Sequence, residues 1–105
     1  MSSKREVVES PVEMGEDERI AWTVTTTPWG GSPSSPTCVL KLVDPSGDMT
    51  VVTGTNVTGS PSISTDDITS GIVHSLTANR KYRLEFKWVS GNNTLETYLI
   101  IFAKV

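Results

Sequence analysis

Between residues 81 and 89 the chain alternates bulky apolar side chains with charged ones, and this pattern restricts the fold more than any other feature. The apolar positions are Tyr82, Leu84, Phe86 and Trp88, and the charged ones are Arg83, Glu85 and Lys87. Successive side chains of a β-strand point to opposite faces of the sheet. The segment is therefore predicted to be a half-buried antiparallel strand with one face in a core and the other in water.

Segments with the same two-residue period precede and follow this strand. Residues 20–26 and 37–44 alternate in the same way, and residues 49–52 follow an Asp-Pro-Ser-Gly sequence that is typical of a tight turn. Residues 37–44 and 49–52 are therefore predicted to form a hairpin.

A second hairpin is predicted at the sequence Ser-Gly-Asn-Asn, residues 90–93, because Gly and Asn accept the positive φ angles of tight connections. It joins residues 81–89 to residues 95–105. Weaker strands are expected at residues 6–9, 62–64 and 72–76. No long window keeps the apolar spacing of an amphipathic helix.

About seven short strands separated by Gly, Pro, Asn and Asp indicate an all-β protein, an immunoglobulin-like antiparallel β-sandwich. Residues 1–11 are interpreted as an N-terminal arm or edge strand, because Pro11 disfavours continuation into a central strand. Residues 12–105 are predicted to form a single domain around one core. The inward candidates are Trp22, Leu40, Leu42, Leu84, Phe86, Trp88, Leu99 and Ile101.

The charge distribution argues against nucleic acid as a partner. The formal net charge is −3, and no cluster of Lys or Arg is longer than two residues. No apolar run approaches membrane-spanning length, and the start of the chain lacks the apolar core of a secretory signal. Synthesis in a cytoplasm is expected, and the single cysteine, Cys38, excludes an internal disulfide.

The residues that carry most enzyme and metal chemistry are scarce. His74 is the only histidine, so a zinc cluster of His and Cys is not possible, and any Ser–His or Cys–His pair would have to use it. Asp66 and Asp67 are adjacent acids, but no calcium-loop spacing surrounds them. Cys38 fits a small buried side chain in a strand. We therefore predict no catalytic residue, no metal site and no cofactor.

Surplus apolar surface is the feature that points toward a function. In residues 95–105, Leu95, Leu99 and Ile101 form one face, while Tyr98, Ile100 and Phe102 form a second. A sandwich strand usually needs one such face, so the second is covered either by the N-terminal arm or by another protein chain.

A tryptophan in a loop rich in Pro and Gly, Trp29, is the other candidate for a protein contact. It is either a lid over one end of the core or an interface anchor. The predicted protein-contact residues are therefore Trp29, Tyr98, Ile100 and Phe102, with Val7 and Val8 of the arm.

The chain resembles small proteins of tailed bacteriophages and prophages. The similar segments are residues 9–12 (Glu-Ser-Pro-Val), residues 15–22, the Pro-Trp-Gly loop at 28–30 and residues 75–85. The resemblance implies a virion component made in the bacterial host cytoplasm, with phage capsid or tail proteins and further copies of itself as partners.

Two functions are open at this point. The first is a non-enzymatic virion structural protein, such as a capsid decoration or head–tail accessory subunit. The alternative is a tail or baseplate module that binds carbohydrate or a receptor, with Trp29, Asp66 and Asp67 as contacts.

Overall fold

The computed structural model describes residues 4–6 and 11–105, and within them the chain forms ten strands in two sheets. The strands are β1 (Lys4–Glu6), β2 (Val12–Gly15), β3 (Ile20–Thr25), β4 (Ser34–Val43), β5 (Met49–Val51), β6 (Val57–Thr58), β7 (Ser62–Ser64), β8 (Asp67–Val73), β9 (Lys81–Ser90) and β10 (Asn93–Lys104). A 3₁₀ turn at Thr27–Trp29 and one helical turn, α1 (Thr53–Asn56), complete the described elements.

Six strands form the first sheet. Its order is β10, β9, β4, β5, with β1 and β2 both pairing with the free edge of β10. β10, β9, β4 and β5 are each antiparallel to their neighbours. β1 and β2 run parallel to β10; β1 pairs with Glu96–Tyr98 and β2 with Ile101–Lys104. Parallel neighbours need a long connection, and here the whole domain separates the paired strands.

The second sheet places β8 between β3 and the pair β6 and β7, all antiparallel. Together the two sheets have the strand order of an immunoglobulin-like sandwich, with the last strand paired to the first. The predicted fold class is therefore confirmed, and so are both predicted hairpins, β4–β5 and β9–β10.

The core lies between the sheets, where the predicted inward face of β9 is fully buried: Tyr82, Leu84, Phe86 and Trp88 are at most 3% exposed. Six of the eight predicted core residues are buried, and Trp22 and Leu42 are half-buried against that core. Met14, Ile68, Val73 and Leu76 join it from segments whose inward positions the sequence did not single out.

One strand begins earlier than the sequence predicted. The expected strand at 72–76 is observed as Asp67–Val73. Its outward positions are Asp67 and Thr69, and a register irregularity separates Ala21 from Thr23 on the partner strand β3. The irregularity interrupts the regular pairing of β8 with β3, and a strict two-residue alternation holds only where pairing is regular. The alternation of apolar and polar residues in β8 is therefore hard to recognise in the sequence.

Candidate protein interface

The solvent-facing side of the six-stranded sheet, which we call the outer face, combines apolar and charged side chains. Outward positions of β10 carry Tyr98, Ile100 and Phe102, and the pairing register sets them opposite Glu85, Arg83 and Lys81 of β9. The same three β9 residues lie opposite Val39, Lys41 and Val43 of β4. A charged row therefore separates two rows with apolar side chains.

The second apolar row extends into β5. Met49 pairs with Val43 and Val51 pairs with Lys41, so both side chains belong to the outer face. Met49 is 45% exposed, Val51 62% and Phe102 38%. Three of the six exposed large hydrophobic residues in the described chain therefore share one surface.

Arg83 connects the charged row to the first apolar row. Its guanidinium carbon lies 3.9 Å from the centroid of the Tyr98 ring, a cation–π distance. Its Nε lies 2.9 Å from Glu85 Oε2, and Lys41 Nζ lies 3.1 Å from Glu85 Oε1. All three charged side chains are largely buried, so the centre of the outer face is ordered before any partner arrives.

A shallow depression lies at the end of the outer face where β9 begins. It is lined by Pro11, Val43, Gly47, Met49, Lys81, Arg83, Tyr98, Ile100 and Phe102. Its charged lining consists of the two cations alone, and the rest is mostly apolar. The structure thus brings three of the predicted contact residues together, with neighbours on β4, β5 and β9.

The sequence did not identify those neighbours, because their position beside β10 depends on pairing between strands that are distant along the chain. Residues 37–44 and 49–52 were expected to form a hairpin, which already places Val43 and Met49 on one face. The step that the sequence did not supply was the pairing of β4 with β9, which carries this hairpin next to Tyr98 and Phe102.

Trp29 lies apart from the outer face. Its ring packs at 5.8 Å, tilted by 52°, on Trp88, an inward residue near the opposite end of β9 from Lys81. It is half-buried and contacts the core. The contacts are those of a lid over one end of the sandwich, and part of the ring stays accessible.

Asp66 holds the loop that carries Trp29. Its carboxylate accepts hydrogen bonds from the Ser32 N–H at 2.9 Å and the Thr27 hydroxyl at 3.1 Å, and its backbone oxygen accepts from Thr26. Asp67 accepts from the Thr25 hydroxyl at 2.9 Å. Both acids are thus engaged in hydrogen bonds with the 25–32 segment.

Val7 and Val8, the remaining predicted contact residues, lie outside the described residues. The neighbouring strands β1 and β2 lie in line along the edge of β10, beside the outer face.

Of the two reactive side chains found in the sequence, Cys38 lies in β4 and His74 directly follows the end of β8. Burial raises the pKa of the Cys38 thiol from 9.0 to about 12, which keeps it protonated and unreactive at neutral pH. His74 hydrogen-bonds through Nε2 to the Thr58 hydroxyl and through Nδ1 to the Ser75 hydroxyl, both at 2.8 Å. These partners are neutral hydroxyls, and within the described part of the chain no carboxylate forms a hydrogen bond or ion pair with the ring.

Within residues 4–6 and 11–105, no group of three or more His, Cys, Asp and Glu side chains has the geometry to hold a metal ion. The helical segments of the same ranges are all too short to cross a bilayer. Comparison of the sequence with protein-family models and with curated proteins gives no match.

Proposed function

We propose that the protein is a non-enzymatic structural subunit of a tailed-phage virion, a capsid decoration or head–tail accessory protein that acts through protein contacts at its outer face. The observation that carries the proposal is the concentration of exposed Met49, Val51 and Phe102 on one surface, beside Tyr98 and Ile100. Exposed apolar side chains gathered on one surface and bordered by polar residues are typical of a site of protein contact.

The composition of the outer face also fits a protein partner. Tyr, Met and Arg are enriched in protein interfaces, and here Tyr98, Met49 and Arg83 lie within one surface. The resemblance to phage proteins supplies the kind of partner, a capsid or tail protein. The carbohydrate-binding alternative has less support, because Asp66 and Asp67 are engaged by the chain itself.

The test uses particles produced by a host that carries the gene in its phage or prophage. Wild type, Phe102→Asp and Ile72→Asp are expressed in turn, and copies per purified particle are counted by quantitative mass spectrometry. Phe102 and Ile72 are matched at 38% and 37% exposure, but Ile72 lies on the four-stranded sheet.

We expect wild type and Ile72→Asp in the particles, and Phe102→Asp reduced about tenfold or more, the equivalent of roughly 1.4 kcal/mol of binding free energy. Circular dichroism and urea unfolding verify that both variants keep the fold. Absence of the wild-type protein from particles would refute the virion role, and equal loss of both variants would refute the outer face as the interface.

A further inference from the structure

The outer face differs in charge from the rest of the protein. Among the side chains that the structure describes on β2, β4, β9 and β10, the outer face has five cations and three acids, a net charge of +2: Lys41, Lys81, Arg83, Lys87 and Lys104 against Glu13, Glu85 and Glu96. The whole chain has a net charge of −3. The sheet surface that carries the exposed Met49, Val51 and Phe102 is thus a positive region on an acidic protein.

The acidic charge is concentrated at one end of the sandwich, which we call the acidic end. It consists of the turns after β2 and β4 and the corner before β9, with Glu16, Asp17, Glu18, Asp44 and Asp48 against Arg19 and Arg80, a net charge of −3. Asp17 is exposed, and its carboxylate makes no hydrogen bond or ion pair with another described residue.

The lysines of the outer face that are free to meet a partner are Lys81 and Lys87. Both are exposed, and neither forms an ion pair with a described residue, whereas Lys41, Arg83 and Lys104 are paired to Glu85 and Glu13. A face-to-face contact between two copies would set net positive surfaces against each other, which is unfavourable. A contact between the outer face and the acidic end would join opposite charges.

From this complementarity we infer that the outer face of one copy binds the acidic end of a second copy, head to tail. The inference rests on the proposed function, because both assign protein contacts to the outer face, and it adds that the partner is a second copy of the chain. Lys81 and Lys87 meet the carboxylates of the second copy, while Phe102 and Met49 supply apolar contact beside Lys81. Such a heterologous contact repeats, so it builds a ring or an open chain and not a closed dimer.

The experiment measures self-association of the full chain by sedimentation velocity and light scattering over a range of concentrations, in low and high salt. For wild type we expect the mass to grow beyond that of a dimer and to fall with added salt, because exposed charges are screened. Lys81→Glu should weaken association about tenfold. Arg19→Glu changes the net charge equally but makes the acidic end more negative, so association should be unchanged or tighter.

A mixing experiment separates the two surfaces. The variant Lys81→Glu/Lys87→Glu should no longer bind through its outer face, and the variant Asp17→Lys/Asp48→Lys should no longer bind through its acidic end. All four positions are exposed, so we expect both variants to fold. Each variant alone should be monomeric, and an equimolar mixture should form a heterodimer through the one intact surface on each.

Three results would overturn the inference: a wild-type monomer at every concentration, growth that stops at a dimer, or equal weakening by Lys81→Glu and Arg19→Glu. None of these results would refute the proposed role in the virion, because the particle assay tests that role separately.

Discussion

The hydroxyl of Tyr82 accepts a hydrogen bond from the backbone N–H of Thr77 at 2.9 Å. Tyr82 is the second residue of β9, and Thr77 lies in the connection that carries the chain from β8 in one sheet to β9 in the other. The bond thus closes the corner between the two sheets, the arrangement known in immunoglobulin-like domains as a tyrosine corner.

Replacing Tyr82 by Phe should destabilise the protein by about 1–2 kcal/mol, because the ring stays buried while the Thr77 N–H loses its partner. Urea unfolding measures the change. Tyr98→Phe is the control: the Tyr98 hydroxyl makes no hydrogen bond with another described residue, and its ring still faces Arg83, so we expect less than about 0.5 kcal/mol. Equal effects of the two substitutions would contradict the structural role of the corner.

Asp66→Ala should release the loop that carries Trp29. The substitution removes the acceptor for the Ser32 N–H and the Thr27 hydroxyl, and we expect a loss of about 1–3 kcal/mol together with a red shift of tryptophan fluorescence. Asp17→Ala removes an exposed carboxylate without such contacts and should leave both stability and fluorescence unchanged. Unaltered fluorescence in Asp66→Ala would show that the carboxylate does not position the loop.

Gly71→Ala should be strongly destabilising, although Gly71 lies in a strand. A Cβ atom there would lie 2.5 Å from the Gly59 backbone oxygen and 2.8 Å from the Thr58 oxygen, so β6 and its neighbouring turn must shift. We expect a loss of about 1–3 kcal/mol or more, measured by thermal and urea unfolding. Gly54→Ala, where no atom lies within 4 Å of the new Cβ, should be neutral or slightly stabilising. A neutral Gly71→Ala would mean that β6 does not approach β8 this closely.

Cys38 makes stability depend on alkaline pH. Its pKa is about 12 in the folded state against an ordinary value of 9.0, because burial disfavours the thiolate. The unfolded chain therefore releases this proton first, so the stabilising effect is complete below pH 9 and is lost as the pH rises from 9 toward 12. We expect a decline of about 1 kcal/mol per pH unit in this window, at most the single-proton limit.

The matched variant for this prediction is Cys38→Val, which cannot ionise and should show a flatter alkaline profile. A thiol reagent at pH 8 should modify Cys38 slowly in the native protein and rapidly in urea. Rapid native modification would show that the thiol is accessible.

The sequence alone determined the strands whose two faces differ most in polarity. In residues 81–89 every second side chain is large and apolar, and a shift by one residue would bury Arg83 and Glu85, so both the strand and its inward face follow from the pattern. The turns at 44–47 and 90–93 follow from residue types that accept turn geometry, and they define the two hairpins. The sequence also predicted that β10 has apolar side chains on both faces, because Tyr98, Ile100 and Phe102 occupy positions where a sandwich strand usually has polar residues.

Only the tertiary structure decided which strands became neighbours. The pairing of β4 with β9 brings Val43 and Met49 to the surface that contains Phe102, and no local pattern encodes that contact, since it joins segments about forty residues apart. The position of Trp29 over Trp88 and the use of Asp66 to hold its loop depend on the same long-range assembly. Alternation along a chain specifies which side of a strand is buried, whereas packing between strands specifies what lies beside the exposed side.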